Sequence, residues 1–168
     1  MGPPGCSRLE NAGALAEYFQ WKFISTGDLL RKEAENKTPQ GERITACLTS
    51  FSYIDDDIII EIVKKEIEEA EKANASWIIE GFPRTRVQAL ALQKMGIVPD
   101  KFVHLGVSQA QSLSRLRANC AEVNQSLYGK ELEDVALSLY REWDVNQNEV
   151  NKTFNKFIYF YDCNEKQQ

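Results

Sequence analysis

The chain has 168 residues, 43% hydrophobic and 27% charged, with a formal net charge of −5. That is enough to bury a core without disulfides or metal. The acidic balance argues against a nucleic-acid partner, which needs a basic face to meet phosphates, and no apolar run approaches the ~18–20 residues that span a bilayer.

A Gly/Pro loop at Gly2, Pro3, Pro4 and Gly5 opens the chain. A helical stretch follows, with Ala12, Leu15, Ala16 and Phe19 at i, i+3, i+4, i+7 spacing. Residues 23–25 read as a short strand that turns at Thr26, Gly27 and Asp28 into a helix carrying Leu29 and Leu30. Asp55 to Asp57 form an acidic helix start, favourable beside the positive end of a helix. The helix after it places Ile59, Ile62, Val63, Ile67 and Ala70 on one face, with Lys and Glu opposite.

Residues 77–79 read as a buried strand with Glu80, Gly81, Phe82 and Pro83 at its end. Residues 84–95 predict a helix closed by Gly96 and Pro99, 102–107 a strand, 109–118 a helix, 132–143 a further helix and 157–160 a last strand. The aromatic residues Trp143, Phe154, Phe157, Tyr159, Phe160 and Tyr161 are expected to pack in the core and sheet, the alternative being an exposed docking patch. Strands alternating with helices predict an α/β fold: a doubly wound parallel sheet with helices on both faces. A phosphate loop normally follows a strand. The start at Met1 and the end after the last strand therefore read as a first strand and a last helix missing from the chain. The four cysteines are scattered without metal-ligand spacing, beside a single histidine, His104. The first ten residues lack the apolar stretch of a secretory signal. Reduced thiols in the cytoplasm are the expectation.

Two segments carry chemistry. Residues 24–31 (ISTGDLLR) and 77–90 (WIIEGFPRTRVQAL) resemble, in this order, two signatures of the adenylate kinase family of nucleoside monophosphate kinases. The resemblance covers the chain to about Leu116 and implies a P-loop-kinase-like fold over residues 1–168. It further implies phosphoryl transfer between ATP and AMP with Mg²⁺, a monophosphate-binding flap within 24–76, and a shortened lid over 119–132. Its residue roles carry over as follows. Arg31 and Arg84 stand at the two arginine positions that grip the monophosphate, where guanidinium forks suit phosphate oxygens. Thr26 matches the nucleoside contact, Gln88 the glutamine that reads the adenine edge, Gly81 the turn near the ligand, and Ile54 the apolar contact to the base. Glu80 stands where the family has an aspartate bonded to the magnesium water shell. Arg115 matches an arginine that packs on the ATP base.

Other positions depart from the pattern. A working phosphate loop needs glycines whose N–H groups cradle phosphate, a lysine and a hydroxyl. Here Ser7 replaces the second glycine, Arg8 the lysine, Leu9 a small residue and Glu10 the hydroxyl residue. Asn119 stands at an arginine position, with Arg117 and Arg141 the arginines left nearby. The flap run at Phe51, Ser52, Tyr53, Ile54, Asp55 and Asp56 lacks the family's glycine and proline. The expectation is a domain with its AMP side kept and its ATP side degraded, weakly active or inactive. If it is active, Arg31, Arg84 and Arg115 would be its charge clamps and Arg8 would stand in for the lysine, with Arg8, Arg84 and Arg115 as the catalytic set. Two alternatives stand beside it: a non-catalytic docking module with protein partners, in an assembly such as a ciliary axoneme, and a fragment of an active enzyme.

Overall fold

The computed structural model describes residues 1–52 and 54–164. The chain divides into two compact units. One is Leu9–Phe82. The other joins Met1–Arg8 to the residues from Pro83 onward.

Leu9–Phe82 holds most of helix α1 (Arg8–Phe19), then β1 (Lys22–Ser25), α2 (Thr26–Glu35), α3 (Pro39–Ser50), α4 (Asp56–Lys72) and β2 (Trp77–Glu80). The two strands pair in parallel, Ser25 opposite Glu80. In α4 four of the five residues of the predicted apolar face, Ile59, Val63, Ile67 and Ala70, are buried, while Ile62 at its margin is half-buried. Each buried branched side chain contributes about 1.5–3 kcal/mol relative to leaving it exposed. Lys22 ties β1 to α4 through a salt bridge to Glu66 at 2.8 Å. In α1 only Ala16 of the predicted face is buried; Leu15 and Phe19 are exposed. Phe19 instead stacks on Trp21, ring centroids 4.8 Å apart.

Sequence reading left residues 39–50 without an element, and α3 forms there. Thr38 starts it, its hydroxyl accepting from the Gly41 N–H at 3.0 Å, and Pro39 occupies the first turn, where its missing N–H costs nothing.

The other unit contains the loop at 2–5, α5 (Arg86–Lys94), β3 (Phe102–Gly106), α6 (Gln109–Val123), α7 (Gly129–Thr153) and β4 (Ile158–Asp162). Strands β3 and β4 pair in parallel, Phe102 opposite Ile158. The parallel α/β pattern is thus present, in two two-stranded sheets. Phe102 and Cys163 donate across the β3–β4 pair, to Phe157 and Gly106. The intervening Leu105 N–H turns the other way and donates to the Met1 carbonyl at 2.7 Å, while the Met1 amino group donates to the Val103 carbonyl. Met1 therefore lies along the second edge of β3. Phe102 of β3 stacks on Phe154, the residue that caps the end of α7, with ring centroids 5.0 Å apart and both rings buried.

Several boundaries move. Helix α6 runs to Val123 and α7 covers 25 residues instead of 132–143. The stretch expected as a shortened lid is therefore helical at both ends, with only 124–128 between them, and Asn119 lies inside α6. Strand β4 ends at Asp162. The expectation of a packed aromatic cluster fails on this strand: Tyr159, Phe160 and Tyr161 are 55%, 70% and 49% exposed, while Phe154 is buried. Among the described residues no helix is long and apolar enough to cross a membrane.

Candidate functional site

The loop at the chain start is built by short side chains and close backbone approaches. A Cβ on Gly2 would sit 2.4 Å from the Leu105 carbonyl oxygen, so any larger residue would push the loop off β3. Gly5 adopts φ +78, where a side chain is strained. Around this turn the carbonyls are taken by the protein's own donors. Arg8 Nη1 donates to Gly2 O at 2.5 Å and Pro3 O at 2.9 Å. Ser112 Oγ, fully buried on α6, donates to Pro4 O at 2.6 Å. Arg115 Nη1, one turn further along α6, donates to Gly5 O at 2.8 Å. The structure thus brings together the loop residues with Arg8 and Arg115, and adds Ser112, which sequence reading missed because a helix serine looks like a solvated position.

Arg8 also lies 3.8 Å from the Cys6 sulfur. Burial pushes the Cys6 thiol up, against the lowering effect of Arg8. A buried neutral thiol is a poor nucleophile.

Two backbone positions keep a glycine-like conformation without glycine. Ser7, at the family's second loop glycine, has φ +58. Phe51, at the family's flap glycine, ends α3 with φ +53. A left-handed conformation costs an ordinary residue roughly 1–2 kcal/mol. Both residues thus take a left-handed turn that strains an ordinary side chain.

In Leu9–Phe82, Thr26 is buried and its hydroxyl donates to the Glu80 carbonyl at 2.9 Å, fixing the end of β2 against the start of α2. Glu80 itself is 9% exposed, and Gly81 turns the chain after it with φ +85. Arg31 is exposed and forms a salt bridge with Asp28 at 2.5 Å, one turn earlier on α2. That guanidinium, with Ser25 second, holds the Asp28 carboxyl below the usual range. Ile54 is buried. Its neighbour Tyr53 lies outside the described residues, so the flap run is seen only in part.

In the other unit, Gln88 is buried on α5, and its Oε1 accepts from the Arg84 N–H at 2.6 Å. The helix expected from Arg84 begins only at Arg86, with Thr85 as its cap, so Arg84 precedes α5 and meets Gln88 through this bond and not on a shared helical turn. Further along, Arg117 pairs with Glu133 of α7 at 2.6 Å. It stiffens the α6–α7 hairpin.

Among the described residues no group of three or more His, Cys, Asp or Glu side chains is placed to hold a metal ion. Glu80 is a nearly buried carboxylate at the end of β2.

The adenylate kinase family profile matches residues 1–163. An adenylate kinase 1 of Nostoc sp. (strain PCC 7120) is 33% identical over 120 residues, covering 69% of this chain and 65% of that protein. An adenylate kinase of Synechococcus sp. (strain JA-2-3B'a(2-13)) is 34% identical over 130 residues, covering 75% and 66%. One from Sclerotinia sclerotiorum is 36% identical over 95 residues, covering 56% of this chain and 34% of its own length. The chain thus spans less than two thirds of the Nostoc and Sclerotinia relatives and about two thirds of the Synechococcus one. With the family profile covering nearly all of the sequence and these relatives above 30% identity, the chain belongs to the adenylate kinase family.

Proposed function

We propose that this chain is an adenylate-kinase-like module that takes an adenine nucleoside monophosphate and transfers phosphoryl from ATP weakly or not at all. The observation that carries the reading is the state of the loop. Arg8 and Arg115, the two cations proposed for the ATP side, both donate to loop carbonyls, and Ser112 takes a third. Phosphoryl transfer depends on fixed donors and cations aimed at the developing charge. Here those groups serve the loop's own backbone, and Glu10 adds a negative charge in the first turn of α1. On the monophosphate side Thr26, Arg31, Ile54, Gly81, Arg84 and Gln88 retain the residue types that such a ligand needs. Mg²⁺ would enter with a nucleotide, through water, at Glu80.

ADP formation from ATP and AMP, followed in a coupled assay, tests this reading. The expected result is turnover far below that of an intact family enzyme assayed in parallel, and equal turnover would refute it. Restoring Ser7→Gly, Arg8→Lys, Leu9→Gly and Glu10→Thr together separates loop from lid. If turnover stays absent, Asn119 and the short 124–128 connection limit it.

A second reading, a docking module of a larger assembly such as a ciliary axoneme, is favoured by the exposed Tyr159, Phe160 and Tyr161 on β4. The axonemal setting rests on analogy with multidomain members of the family.

A further inference from the structure

Indole Nε1–H is a donor only. That of Trp143, on α7, is shielded from solvent and has no acceptor among the described residues. A buried donor in that state costs free energy comparable to a lost hydrogen bond, and such groups in native proteins are usually answered by an ordered water. The ring beside it is His104 of β3, 94% buried, with centroids 6.2 Å apart. His104 Nδ1 lies 3.2 Å from Asn151 Oδ1. An amide oxygen only accepts, so Nδ1 carries the proton, and Nε2 of the neutral ring is left as an acceptor. The third neighbour, Phe160 of β4, stands 5.1 Å away and offers no polar atom to either ring.

We propose that a buried water links Trp143 Nε1–H to His104 Nε2, and that protonation of His104 breaks this link, making the pair a pH-sensitive latch on the strand that Met1 is bonded to. A water with two hydrogen bonds of about 2.8 Å spans up to about 5.6 Å, a length suited to two rings too far apart to bond directly. Protonated, Nε2 becomes a donor, and the water that accepts from Trp143 loses the acceptor for its own O–H. The groups around the ring oppose that charge or leave it unanswered: Trp143 and Asn151 from α7 and Phe160 from β4 are neutral, and the charges that reach it, the Met1 ammonium and Arg8, are both positive. Burial, with the smaller effect of those cations, holds the His104 pKa below its usual value, partly offset by Asn151. A depressed histidine contributes stability that is present above the unfolded value of about 6.5 and is lost as pH falls through the folded value. The mechanical consequence follows from the strand. Val103 and Leu105, on either side of His104, carry the two backbone bonds to Met1, so a disturbed ring loosens the support of the phosphate loop.

His104 is the only histidine in the chain, so its ring nitrogens give one pair of NMR signals. The test is a ¹⁵N titration of the full chain from about pH 7.5 to 5, with the Trp143 indole signal assigned by Trp143→Phe. The expected result has three parts: an Nδ1–H tautomer at neutral pH, a Trp143 Nε1–H signal that exchanges magnetisation with water, and a shift of that signal with the His104 midpoint. Trp143→Phe removes the donor to the water and moves the His104 midpoint up toward the ordinary value. An Nε2–H tautomer at neutral pH, or a Trp143 signal that stays flat through the His104 midpoint, overturns the proposal. The His104 tautomer is read from the unmodified protein alone, so it can overturn the proposal even if the variant does not fold.

Discussion

Glu10 offers the sharpest test of why the loop should reject triphosphate. It is the third residue of α1, exposed, in the turn whose N–H groups would face a phosphate. Two unit charges about 4 Å apart repel by about 1 kcal/mol in water and about 4 kcal/mol at the effective dielectric of a protein surface. An exposed carboxylate belongs near the lower figure, so about 1–2 kcal/mol is the expected gain from removing it. That corresponds to roughly 5- to 30-fold tighter binding of ATP or tripolyphosphate by Glu10→Thr or Glu10→Gln. Isothermal titration with tripolyphosphate isolates the loop from the base-binding groups. The gain should shrink as salt rises, because the Debye length is about 8 Å at physiological ionic strength. Unchanged affinity in both variants would show that Glu10 does not face the phosphate, and would leave the engaged Arg8 and Arg115 as the whole barrier.

Three further outcomes follow from the geometry. Ser7→Gly relieves a left-handed serine at a cost in unfolded-chain entropy of about 0.4–1 kcal/mol, so calorimetry should show a small rise in Tm, and a fall would mean that the serine side chain outweighs the strain. Ser112→Ala leaves the Pro4 carbonyl without its 2.6 Å donor and should cost about 1–3 kcal/mol of stability by denaturant titration; a change within experimental error would mean that the loop is held without it. Arg31→Ala should weaken AMP binding by about 1.5–3 kcal/mol, roughly 10- to 150-fold, by loss of a charged hydrogen bond, whereas Asp28→Asn, which breaks an exposed ion pair and weakens the Ser25 contact, should change stability by less than about 1 kcal/mol.

Where side-chain periodicity was strong, sequence and structure agree. Ile59, Ile62, Val63, Ile67 and Ala70 mark one stripe of α4, and all but the half-buried Ile62 are buried. Helix α3 was illegible because its sequence, PQGERITACLTS, has weak apolar periodicity and buries only Gly41 and Ile44. Its capping pair, Thr38 and Pro39, was the signal available. Asn119 read as a lost lid arginine, but periodicity alone did not reveal that α6 continues past it to Val123. In β4 the alternation of large aromatics suggests burial equally on either face, and only tertiary packing decides that Tyr159, Phe160 and Tyr161 stay exposed.

The site was legible as residue types and not as bonds. The loss of glycine at Ser7 and Phe51 was plain in the sequence; that both positions nonetheless keep positive φ is a property of the surrounding backbone. Sequence placed Arg8 and Arg115 at the phosphate end, but could not show that their guanidinium groups lie on the carbonyls of Gly2, Pro3 and Gly5. Gln88 was expected to read a base. Its buried amide accepts from the N–H of Arg84, which lies just before the cap of α5.

The central claim is the inequality of the two nucleotide sides, and calorimetry with AMP and ATP added separately tests it most directly. The account predicts measurable AMP binding that falls on Arg31→Ala, and ATP binding too weak to detect under the same conditions. Tight ATP binding by the unmodified chain would contradict it.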